Sequence, residues 1–126
     1  MKSRNTVLRL RRFQYEEKRR RLAQIEMMIN DFSRMASDLE KEILAEEKKS
    51  GITDINHFAY PTFARAASLR RENLLTSVEE LRAQLEVAQA ERDEAQEAMH
   101  KAELLEGREL LHSSRVMPEA AKMQTA

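Results

Sequence analysis

Leu22-Ala-Gln-Ile25-Glu-Met-Met-Ile29-Asn-Asp-Phe32-Ser-Arg-Met-Ala36-Ser-Asp-Leu39-Glu-Lys-Glu-Ile43 spaces its apolar side chains in alternating steps of three and four. Such spacing keeps them on one stripe of an α-helix that winds about a partner helix. A second stripe, Ala67, Arg71, Leu74, Val78, Leu81, Leu85 and Ala88, repeats the pattern, and the only Gly and Pro between the two are Gly51 and Pro61. The layout predicts an all-α fold in which two long helices form an antiparallel coiled-coil hairpin. A two-helix hairpin encloses no cleft for chemistry, so function must come from its surface and ends.

Working outward, helix 1 is expected over about 3–49, capped by Ser3 or Asn5, with Lys48 and Lys49 suited to the negative end of its dipole. Gly51 suits the left-handed residue that closes a helix. A connector over 50–60 follows, in which Thr53 or Asp54 caps a short turn, and Pro61 opens helix 2, expected over about 61–111. The hairpin is thus read as residues 1–111, and the polar, Pro-containing tail over 112–126 as disordered.

Facing positions of an antiparallel pair have residue numbers that add to a constant, and 110 gives coherent layers: Ile25 with Leu85, Ile29 with Leu81, Phe32 with Val78, Ala36 with Leu74, Leu22 with Ala88. Toward the termini the same register sets Tyr15 by Ala95, Arg11 by Met99 and Leu8 by Ala102, and it opposes Lys18 with Arg92. The core should therefore weaken at the end that carries both termini.

Composition excludes much. In 126 residues, 35% are charged and 5% aromatic, with no Cys and no Trp, which suits long helices rather than a globular core. Without Cys there are no disulfides, thiolate nucleophiles or zinc-finger ligands. His57, His100 and His112 are scattered, and no Gly-rich phosphate loop is present. The sequence predicts no enzyme, no cofactor and no metal site. No apolar run approaches the ~18 residues of a membrane span, and no apolar segment follows the basic N-terminus, so neither membrane insertion nor secretion is expected.

Two features remain that could bind a partner. Residues 1–21 hold nine cations against Glu16 and Glu17, a net of +7, whereas residues 90–109 hold seven acids and three bases, a net of −4. Cations at a helix N-terminus oppose the helix dipole, so helix stability does not explain them. Arg4, Arg9, Arg11, Arg12, Lys18, Arg19 and Arg20 are the candidate contacts at this end, although a solvated, salt-bridged face would look the same. Phe58, Tyr60 and Phe63 cluster at the hairpin tip, either as a cap over Ile43 and Ala67 or as an aromatic anchor for another protein.

Leu8-Arg-Leu-Arg-Arg-Phe13-Gln-Tyr-Glu-Glu-Lys18-Arg-Arg, followed by Leu22-Ala-Gln-Ile-Glu-Met-Met-Ile29, resembles the N-terminal helix of the FliJ proteins of the flagellar type III export apparatus. The connector Gly51-Ile-Thr-Asp-Ile-Asn-His-Phe-Ala-Tyr-Pro61, with Arg70-Arg-Glu-Asn-Leu74, resembles short bacterial variants of that family. The resemblance covers about residues 1–111. It implies a cytoplasmic antiparallel coiled coil like the stalk of rotary ATPases, contacting the export ATPase ring, the cytoplasmic domain of the export gate and substrate chaperones, with no nucleic acid and with membrane association only through the apparatus. A basic helix running into heptads also resembles a leucine-zipper transcription factor, but Glu16 and Glu17 interrupt the basic region and the second stripe would have no role. A generic structural coiled coil, as a dimer or four-helix bundle, is the third reading.

Overall fold

The computed structural model describes the backbone of residues 2–125 and the side chains of residues 5–112. It is an all-α hairpin: α1 spans Lys2–Ser50, α2 spans Thr62–Thr125, and the two pack against each other without strands among the described residues. The expected caps at the start are not used in that way, because α1 already begins at Lys2, so Asn5 lies inside the helix, and the Ser3 side chain lies outside the described residues. α2 continues to Thr125 instead of stopping near Leu111, through a run of strong helix formers, Glu119, Ala120, Ala121 and Lys122. Of the tail expected to be disordered, 112–126, the side chains of 113–126 lie outside the described residues.

The chain divides into two compact units. In the unit Leu22–Val87 the core follows the heptads: Leu22, Ile25, Ile29, Ala36 and Ile43 are buried from α1, and Ala64, Ala67, Val78 and Leu81 from α2. Ile43 and Ala67 share one cluster, and their numbers, 43 and 67, add to the predicted 110. Arg71 occupies a stripe position, and its half-buried guanidinium turns out of the seam to place Nη2 3.6 Å from Glu40 Oε2. Its Nε is left buried without a hydrogen-bond partner. A cation here adds little apolar burial, and a pair this exposed contributes little on its own.

In this unit, cysteines placed at 29 and 81 should form an intrachain disulfide under mild oxidation. Non-reducing gels would read it, and dimers in place of a fast-migrating monomer would move the register to an intermolecular pair.

The unit Met1–Arg21 with Ala88–Ala126 is packed differently. Among its described residues only Leu8 and Ala88 are buried apolar side chains, while Val7, Leu10 and Phe13 on α1 and Leu104, Leu105, Leu110 and Leu111 on α2 are exposed. The predicted like-charge layer of Lys18 and Arg92 is resolved by side-chain length. Lys18 Nζ reaches Glu91 Oε2 at 3.1 Å, and Arg92 Nε donates to Asp93 Oδ1 at 2.7 Å. Each cation pairs with an acid one residue from its layer.

Candidate functional site

The connector is a built turn rather than a slack loop. Gly51 adopts φ 74°, and its N–H donates to Glu47 O at 2.9 Å, closing α1 in the left-handed manner expected of it. Ser50 Oγ donates to Glu47 O and accepts from Ile52 N–H, so the carbonyl that Gly51 already bonds takes a second donor and the Ile52 amide is satisfied. Of the two capping candidates, Asp54 makes the turn: its Oδ1 accepts from Asn56 N–H at 2.9 Å and its backbone carbonyl from His57 N–H at 3.1 Å. Pro61 O accepts from Arg65 N–H, so Pro61 flanks α2 one residue before its first turn instead of opening it.

This turn sorts the three aromatic residues. Tyr60 is buried, 4% exposed, in a cluster with Ile43, Ala64 and Ala67 against which Leu39 and Ile52 also pack. Its hydroxyl donates to Glu47 Oε2 at 2.9 Å, and the Arg65 guanidinium lies 5.6 Å from its ring centroid. A ring so enclosed cannot be offered to another protein, so Tyr60 is corrected from a partner-binding residue to the cap of the core. The sequence carried a signal for this, because Tyr60, Ala64 and Ala67 continue the second stripe backward in steps of four and three.

Phe58 is the opposite case, 94% exposed. It stacks on His57 with ring centroids 4.8 Å apart, and His57 is itself fixed, its Nδ1 accepting from Ala59 N–H and its carbonyl from Tyr60 N–H and Arg65 Nη2. An exposed apolar ring on an ordered turn suits an anchor, since little side-chain freedom would be lost on docking. Phe63, 56% exposed, stands on the first turn of α2, and Ile55 and Leu69 are exposed in the same unit.

Burial first, then the hydrogen bond to Glu47 and that carboxylate's charge, push the Tyr60 phenol above its ordinary range, with Ser68 and Arg65 offsetting part of the rise. A raised folded-state value means that this stabilisation is whole below the unfolded value of about 10 and is lost as pH climbs through the folded one. Melting temperature followed from about pH 8 to 11 should fall more steeply for the native chain than for Tyr60→Phe. Parallel curves would mean that the phenol ionises alike in the folded and unfolded chains.

At the basic end the expected contacts separate into three groups. Arg12 Nε lies 3.9 Å from Glu103 Oε1, Lys18 pairs with Glu91, and Arg19 pairs with Glu16 at 2.9 Å, so part of the positive excess is spent within the chain. Among the described residues Arg11 donates only to the neutral amide of Gln14, at 3.1 Å. Arg9 and Arg20, with Arg21, have no ion pair among the described residues and are exposed. The Arg4 side chain lies outside the described residues. The row of cations is therefore brought together on one unit but used unequally, and Arg9 and Arg20 are its most available members.

Among the described residues, no group of three or more His, Asp or Glu could hold a metal ion, and no helix is long and apolar enough to cross a membrane. No family model, curated protein or solved structure matches the chain.

Proposed function

We propose that this chain is a non-enzymatic component of the flagellar type III protein export apparatus, a stalk or escort that links the export ATPase ring, the export gate and substrate chaperones. It would work in the cytoplasm and associate with the inner membrane only through that apparatus. The reading begins from the resemblance of residues 8–29 and 51–74 to the FliJ proteins. The observation that carries it furthest is the contrast between the well-filled unit Leu22–Val87 and the thinly packed unit that bears the cations. A partner that closes on the second unit gains charge and apolar contacts without displacing an established core. Arg9 and Arg20 supply charge that no carboxylate among the described residues pairs with.

The test is a pull-down from a native lysate, with the export ATPase and the export gate as expected companions. Arg9→Glu with Arg20→Glu should lower ATPase-ring association by roughly tenfold, and the native interaction should weaken as salt rises. Loss of neither companion on reversal would make the basic end a solvated face. Capture of neither by the native chain would remove the export reading.

The unpaired arginines also favour a second reading, a basic coiled coil that binds nucleic acid. Glu16, tied to Arg19, and the exposed Glu17 break the row that would face phosphates. Retention on DNA that falls steeply with salt, without capture of either export protein, would select this reading.

A further inference from the structure

We propose that the groove between α1 and α2 in the unit Met1–Arg21 with Ala88–Ala126 is a docking site for an acidic amphipathic helix of a partner protein. The groove is about 390 Å³ and is lined by Val7 and Arg11 from α1 and by Ala98, Lys101, Ala102 and Leu105 from α2. Its origin is in the seam. Where the heptad reading pairs Ile29 with Leu81 in the other unit, it pairs Leu8 with Ala102 and Arg11 with Met99 here, so the sequence offers small and cationic side chains where large apolar ones would fill the space. Two alanines make a floor that a third helix can approach closely, and Val7 and Leu105, 46% and 54% exposed, stand as its apolar walls.

The charge of the lining selects the occupant. Both charged side chains of the groove are cations. Among the described residues Arg11 is held only by the neutral Gln14 amide, and Lys101 only by a 3.5 Å pair with Glu97 in which both side chains are more than two-thirds exposed. Such a pair contributes little and is readily exchanged for a carboxylate of a partner. A helix with branched apolar residues on one face and acids along its borders satisfies walls and rim together, as amphipathic helices do in apolar grooves. A phosphate backbone would pair with the cations and leave Val7 and Leu105 in water. The proposal stands on the groove alone, whether or not the partner belongs to an export apparatus.

The experiment titrates the full isotope-labelled chain with a synthetic peptide of about five turns, carrying Leu at i, i+3, i+4 and i+7 on one face and Glu along its borders. A scrambled peptide of the same composition is the control. Saturable amide shifts are expected around residues 7–11 and 98–105, the lining segments, with little response at the Phe58 turn. Leu105→Glu, at an exposed position, should keep its helicity by circular dichroism and weaken the peptide by roughly tenfold or more. Arg11→Glu with Lys101→Glu should weaken it further and remove or reverse the fall of affinity with salt. Equal binding of the scrambled peptide, shifts centred elsewhere, an unaffected Leu105→Glu chain, or no saturation by about 1 mM would each overturn the proposal. So would a self-association, seen by sedimentation, that occupies the same residues with a second copy of the chain.

Discussion

Tyr60→Ser should lower stability by about 3 kcal/mol, the scale of truncating a buried aromatic ring, whereas Phe58→Ser should change it by less than about 0.5 kcal/mol. The two rings are two residues apart, yet one is 4% and the other 94% exposed. Removing the Tyr60 ring uncovers Ile43, Ala64 and Ala67 and leaves Glu47 Oε2 without its donor. Removing the Phe58 ring loses only its stack on His57. Partner binding should respond in the reverse order, with Phe58→Ser weakening it while leaving the melting temperature in place. Thermal melts and a binding assay on both chains give the comparison, and a destabilised Phe58→Ser chain would show that its stack holds the turn together.

The heptad stripes were legible because burial in a hairpin depends on one variable, the angle around each helix, which residue spacing fixes. Ile25, Ile29, Val78 and Leu81 are buried where the stripe put them. The Gly51 closure was legible for a comparable reason, since a left-handed residue after paired lysines has few other uses. Tyr60 was read as one of three alike aromatic residues because composition drew attention to the cluster, while the continued three-and-four spacing separated it from Phe58 and Phe63. Lys18 and Arg92 show what the register leaves out: it orders positions in layers, but long side chains choose among acids a full residue away. The groove beside Arg11 was visible in the sequence only as a degraded seam. Its exposed walls depend on which flank Val7 and Leu105 occupy, and a list of layers does not contain that.

Ile25→Ala should be the most damaging apolar truncation, at about 4 kcal/mol, and Leu8→Ala should cost about half as much. Both side chains are buried, but Ile25, at 1% exposed, is the largest fully enclosed side chain among the described residues. Its unit contributes a continuous series of buried neighbours, so deletion leaves a void that packed helices fill only in part. Among the described residues Leu8 shares its unit with one other buried apolar residue, Ala88, and its neighbours Val7 and Arg11 line an open groove. Water enters there, and the cost approaches the transfer term alone, about 0.8 kcal/mol per methylene removed. Against a total of about 5–15 kcal/mol for a small domain, the Ile25 change removes a large share and should lower the melting temperature of its unit by about 16–32 °C. Hydrogen exchange on the two variants resolves the difference. Ile25→Ala should deprotect amides over residues 22–87, and Leu8→Ala should leave that segment protected while opening the segment that carries the cations. Equal loss of protection in both variants would mean that the units unfold as one, and the soft basic end would then have no separate existence for a partner to order.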